Sequence, residues 1–186
     1  MRWDELFADL EAQASALDVA ERAAEIAERT RIEVGGLGVH DRLAAAVGAS
    51  VRVEALGGEA RAGTIARVGA DWLLLDEGAG RESVIAIDAI RSVAGLGRTS
   101  AVPGSGGAVH ARLVLRTALR GIARDRSTVR LHLRDGAALD ATLDRVGADF
   151  VEVARHAPGE PRRRGEVRDV LLVPLAALAI VSRRVG

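Results

Sequence analysis

Residues 51–75 and 129–153 of this chain are two versions of one segment. VRVEALGGEARAGTIARVGADWLLL lies over VRLHLRDGAALDATLDRVGADFVEV without a gap, at an offset of 78. Ten positions are identical, among them Val51/Val129, Arg52/Arg130, Gly58/Gly136, Thr64/Thr142 and the run Arg67–Asp71 over Arg145–Asp149. VIAIDAIRSV (84–93) then lies over LVPLAALAIV (172–181) at an offset of 88. The second copy's intervening loop is therefore ten residues longer, and it carries Arg162, Arg163 and Arg164. Any fold for this chain has to use one small unit twice.

That unit reads as β-structure. Val51/Val53 and Val129/Leu131/Leu133 alternate with polar residues, the pattern of half-buried strands. His132 falls between Leu131 and Leu133, so alternation predicts that it faces solvent. Leu56-Gly57-Gly58 and Arg134-Asp135-Gly136 carry hairpin-turn chemistry, and Val-Gly-Ala-Asp forms a second turn in both copies. Ala62–Val68 is a second strand, with Trp72–Leu75 and Phe150–Val153 as third strands. Ile85–Ile87 and Leu171–Val173 come next, followed by a one-turn bend and a last short strand. Asp71 and Asp149 are expected to accept backbone hydrogen bonds in their turns.

Helical patterns precede both copies. Trp3, Phe7, Leu10, Ala14 and Leu17 recur at spacings of 4, 3, 4 and 3, an amphipathic seam. Asp18–Arg22 and Glu25–Arg29 are i,i+4 pairs in the favourable order. Asp18 with Glu21 resembles a capping box that would split the segment, but no Gly or Pro precedes Gly35, which favours one long helix. Its seam suits packing in cis and a coiled coil equally. Asp41–Val47 and Val109–Ala123 read as further helices, and Gly97–Gly107 as a Gly/Pro linker. The predicted fold class is α+β: two tandem small β-barrels, each preceded by a helix, behind a long N-terminal amphipathic helix. Residues 1–34 would be that helix, and 40–96 a short helix plus the first barrel. Residues 97–107 would be the linker, and 108–184 a helix plus the second barrel.

The residues Val51, Val53, Gly58, Gly63, Ile65, Trp72 and Leu75 resemble the first motif of Sm-like small barrels. The closing strands, Ile87–Val93 and Leu175–Val181, resemble those of SH3-like and PRC-type barrels more widely. The resemblance covers about 100 of 186 residues, at the level of fold; the chain as a whole resembles proteins of high-GC actinobacteria. It implies an RNA-binding barrel in which Trp72 or Phe150 holds the place of the base-stacking residue, a place that also suits barrel core. The Asp and Asn that flank this place in the family are Gly69 and Leu73 here, and Gly147 and Val151 in the second copy. The second motif Gly is Ala141 in that copy. The family's uridine readout is therefore not implied.

Charge is polarised although the formal net charge is zero. Residues 1–48 hold 5 Arg against 10 acids, 49–97 hold 5 against 7, and 98–186 hold 16 against 9. All 26 basic residues are Arg, as in a GC-rich coding bias. Arg112, Arg116, Arg120 and Arg124 recur every four residues, drifting about 40° per step on a helix. Arg126, Arg130 and Arg162–Arg164 extend this basic surface. Such a stripe suits phosphate tracking. It is equally a solvated face opposite Leu113, Leu115, Leu119 and Ile122, or a dock for acidic protein such as the ridge Asp4, Glu11, Asp18, Glu25.

No motif positions a nucleophile, and no Gly-rich loop carries a phosphate-cradling Lys. His40, His110, His132 and His156 show no metal-ligand spacing, and the chain has no Cys. The expectation is a non-enzyme without cofactor or metal. With no long apolar run, it is expected to be cytoplasmic rather than membrane-bound. Two functions are consistent with these features. One is a non-catalytic nucleic-acid-binding module, with RNA the expected partner, using Arg112, Arg116, Arg120, Arg124, Arg126, Arg130, Arg162, Arg163, Arg164 and Trp72 or Phe150. The other is an adaptor or homo-oligomer that engages protein through strand edges and the Trp3, Phe7, Leu10, Leu17 seam, since open edges pair.

Overall fold

The computed structural model describes residues 3–103, 113–155 and 169–184. It consists of two units, of which the first is a helix and the second, from Val39 onward, holds both copies of the repeat.

Helix α1 (Trp3–Gly35) is one uninterrupted helix of 33 residues. Arg29 pairs with Glu25 at 2.8 Å and Arg22 with Asp18 at 3.9 Å, the i,i+4 pairs expected. Trp3, Phe7, Leu10 and Leu17 are all exposed, the first two with their rings stacked at 6.4 Å. Among the described residues no helix is long and apolar enough to cross a membrane.

The second unit contains α2 (Val39–Ala44), α3 (Leu115–Asp125) and ten strands. The first copy contributes β1 (Ser50–Ala55), β2 (Ala60–Val68), β3 (Trp72–Gly78), β4 (Arg81–Ala86) and β5 (Ile90–Ala94). The second contributes β6 (Thr128–Leu133), β7 (Ala138–Val146), β8 (Phe150–Arg155), β9 (Asp169–Pro174) and β10 (Leu178–Arg184). A single 3-10 turn, Ile87–Ala89 or Leu175–Ala177, precedes the last strand of each copy. The hydrogen bonds that shape the turns repeat as well. Gly69 N donates to Trp72 O as Gly147 N does to Phe150 O, and Ile87 N to Asp71 O as Leu175 N does to Asp149 O. The internal duplication is thus a duplication of structure.

All pairings are antiparallel, in one sheet of order β5-β1-β2-β3-β4-β10-β6-β7-β8-β9. Each half repeats the order last–first–second–third–fourth. The halves meet where β4 pairs β10, Ile85 opposite Ile180 and Val84 opposite Val181. The sheet does not close on itself: β5 and β9 are its two ends. The expected pair of separate barrels is, at this level, one open ten-stranded sheet. Its apolar core takes Val53, Ile65, Leu73 and Ile85 from the first copy and Leu131, Leu143, Val151 and Ile180 from the second.

Helix α3 runs from Leu115 to Asp125; of the predicted segment Val109–Ala123, residues 109–112 lie outside the described residues, and Leu113 and Val114 are not helical. Val114 is extended, and Leu113 before it is held by the first copy. Leu113 O accepts from Trp72 Nε1 at 2.7 Å and from Ala70 N at 3.0 Å, while Asp71 Oδ1 accepts from Leu115 N at 2.6 Å. Asp71 thereby satisfies one of the orphan donors at the helix start. Part of the expected linker is also tied down: Arg42 of α2 donates to Thr99 O at 2.8 Å and to Gly97 O.

Candidate nucleic-acid interface

Helix α3 presents two faces because its residues alternate with helical period. Leu115, Leu119 and Ile122 are buried. Arg116, Arg120 and Arg124 are exposed on the other side, over about 12 Å of axis. The C-cap is Arg126, in the left-handed region at φ 52°, where it adds a fourth exposed guanidinium. Arg124 and Arg126 lie where the helix dipole favours positive charge.

What distinguishes this face is that its cations stand unpaired among the described residues. No carboxylate among the described residues lies within ion-pair distance of Arg116, Arg120, Arg124 or Arg126. The other predicted basic residues fare differently. Arg130 is committed to Asp140 at 3.1 Å, beside its place in β6. Arg112 and Arg162–Arg164 lie outside the described residues.

A second collection of cations sits at the joint between the copies, around a cleft of about 470 Å³ lined by Arg61, Arg81, Arg130, Arg183, Glu77 and Glu82 among others. Most of these charges are already matched. Arg183 pairs with Glu82 at 3.1 Å and Asp125 at 3.2 Å, and Arg61 with Glu59 at 2.7 Å and Glu77 at 3.6 Å. An anion entering this cleft would have to displace carboxylates, whereas one meeting α3 would not.

The two aromatic candidates part company. Trp72 is 6% exposed and its indole N–H is spent on Leu113 O, so it is core that anchors α3 to the first copy. Phe150, in the equivalent place, is only half-buried and rests against Gly147.

His132 corrects the alternation rule: it is 4% exposed rather than solvent-facing. It does point away from the side of Leu131, but the first copy covers that side. Arg61 Nη2 donates to its Nε2 at 2.9 Å, and Glu59 Oε1 lies 3.3 Å from Nδ1, which makes no hydrogen bond among the described residues. Burial, then the Arg61 charge, push the His132 pKa down, with Glu59 opposing. The Arg61 hydrogen bond holds the Glu59 carboxyl below its usual range. Close by, Gly57 (φ +86°) lies so near Leu133 O and Gly136 that a Cβ has no room. Sequence reasoning missed this cluster. The signal was available, since Glu59 and Arg61 stand where the second copy has Ala137 and Leu139. The chain matches no protein-family model and no curated protein.

Proposed function

We propose that this chain is a non-catalytic nucleic-acid-binding module that grips the phosphate backbone, with RNA as its partner, through α3. In this reading each half is a small Sm-like barrel, and the helix before the second carries the contact. One observation carries the proposal: Arg116, Arg120, Arg124 and Arg126 form an exposed row with no carboxylate paired to them among the described residues, whereas Arg130, Arg134, Arg145 and Arg183 on the strands and turns of the same copy each have one. Trp72, being sealed, takes no part, and Phe150 is the aromatic left to stack. Readout of sequence is not part of the proposal; the guanidinium row follows phosphates and releases counterions.

The test is fluorescence anisotropy with mixed-sequence RNA and DNA oligomers across salt concentrations. Binding should weaken steeply with salt. Arg116→Glu/Arg120→Glu should lower the slope of log K against log salt by about 1.4 for a single strand, two contacts at about 0.7 each. Both side chains are exposed, so circular dichroism should be unchanged. Salt-insensitive binding, or none, would remove this reading.

A further inference from the structure

We propose that a cleft of about 270 Å³ beside α3 binds a small straight-chain carboxylate, its apolar tail along the sheet and its head on Arg67. Helix α3 contributes Ala118 and Ile122 to the lining, and the strands contribute Trp72, Leu74, Val84 and Val181. Strand register joins most of these into one row. Arg67 of β2 stands opposite Leu74 of β3, Leu74 opposite Val84 of β4, and Val84 opposite Val181 of β10. Residues directly opposite one another share a face of the sheet. At about 4.8 Å per strand the row runs for about 14 Å. It is apolar over three strands and ends on a cation.

The duplication shows what that cation lacks. In the second copy the equivalent row is Arg145, Glu152 and Leu172. Arg145 Nε and Nη2 donate to the two oxygens of Glu152 at 2.6 and 2.8 Å, a two-pronged pair that suits the planar guanidinium. In the first copy Leu74 holds the place of Glu152. Arg67 is exposed there, with no carboxylate within ion-pair distance among the described residues. The cleft's other cation, Arg183, is already held by Glu82 and Asp125. The lining therefore carries two Arg against one Glu, and the uncommitted charge is that of Arg67. A carboxylate on a ligand would give Arg67 what Glu152 gives Arg145.

The walls suit an acyl chain. Trp72, Val84 and Ile122 are 6, 7 and 8% exposed, whereas Leu172, the equivalent of Val84, is 59% exposed. The first copy's row is thus roofed without being sealed, and a tail that displaces water from it gains apolar burial. The volume lies just below the range of about 300–1,000 Å³ for drug-sized ligands, which selects a short chain over a long one. No residue of the exposed Arg row lines this cleft, so the site and nucleic-acid binding can fail separately.

The chain has two Trp, and Trp3→Phe leaves Trp72 as the single reporter inside the cleft. Titrated into that protein, octanoate should change the Trp72 fluorescence saturably. It should bind about fivefold tighter than octanol, the upper end for an exposed ion pair. Butanoate, which has the charge without the reach, should bind far more weakly than octanoate. Leu74→Glu gives Arg67 the second copy's partner and should abolish octanoate binding with unchanged circular dichroism. Should that glutamate disturb the fold, Arg67→Leu decides alone, since it replaces an exposed side chain. It should bring octanoate down to the affinity of octanol. No saturable change with octanoate in the millimolar range would overturn the proposal. So would octanol binding as well as octanoate, the mark of a merely greasy surface, or butanoate doing so, the mark of a bare anion site. Octanoate binding that survives both Leu74→Glu and Arg67→Leu would overturn it too.

Discussion

Asp71 and Asp149 hold the same place in the two copies. Each ends a Val-Gly-Ala-Asp turn, and each backbone carbonyl accepts the N–H that opens the 3-10 turn, at 2.9 and 2.7 Å. Their side chains differ in use: Asp71 receives the first N–H of α3, whereas Asp149 is exposed and has no hydrogen bond among the described residues. The same split recurs along the chain. Trp72 anchors Leu113 while Phe150 stays half-buried; Ile180 is sealed in the joint while Ser92, its equivalent on β5, is exposed. The shared positions maintain the turns and the strand order. At these positions the divergence tracks the neighbour each copy acquired.

The strongest way to break this comparison is at the joint. Ile180 is fully buried opposite Ile85, and Ile180→Ala should cost about 2–5 kcal/mol through lost burial and the remaining cavity. Ser92→Ala, at the matched place on β5, should stay within about 0.5 kcal/mol, as exposed substitutions do. Urea unfolding of the full chain measures both. Similar costs at the two sites would mean that the joint is not where the copies differ energetically.

A smaller effect is expected at the turn. Asp71→Ala removes the acceptor at the start of α3 and should cost about 0.5–2 kcal/mol. Asp149→Ala should change stability far less, because that carboxylate caps nothing among the described residues. The readout is again the urea midpoint, with loss of helical signal expected from the first variant alone. An Asp149 variant as damaging as the Asp71 variant would reveal a partner for Asp149 from outside the chain, sharpening the comparison in favour of assembly.

How much of this could be read from residue order depends on the range of the interaction. Alternation, Gly turns and the two offsets are local or repeated signals, and they locate the strands, the 3-10 turns and α1 closely. Joining of the halves is not local. Nothing between Arg81 and Ala86 announces β10 as its partner, so a sequence that reads as two barrels folds as one open sheet. His132 shows the same limit: alternation says which way a side chain points, and the other copy decides whether water is there. Leu113 and Val114 are helix-compatible residues that are not helical, because Leu113 O is taken by Ala70 and Trp72, more than forty positions away. The Arg stripe was the easier part, because helical period alone separates Arg116, Arg120 and Arg124 from Leu115, Leu119 and Ile122.

The smallest effect probes the polar joint through pH. In the folded chain Arg61 donates to His132 Nε2, which places the ring proton on Nδ1 and favours the neutral imidazole. Around it stand Arg61 and Arg130, which oppose a proton, and Glu59, which favours one; burial and the arginines win, and the pKa falls below the usual 6.5. The unfolded chain therefore binds a proton first as pH drops. Stability is full above the unfolded pKa and is lost as pH falls from about 6.5 towards the lower folded value. Glu59 contributes in the same direction but in a different window. Its folded pKa is depressed below 4.5, so its share is lost only as pH falls below that ordinary value. The two are separable by titrating stability in urea from neutral to acid. His132→Gln, whose side-chain oxygen can accept from Arg61, should flatten the upper limb and leave the lower one. The second copy's residue takes the proton, but Arg61 of the first makes it unwelcome, so Arg61→Leu should also shrink the upper limb by relieving His132 of its neighbouring charge. An upper limb that survives both substitutions would place the titrating group elsewhere, and the joint would then be polar without being pH-sensitive.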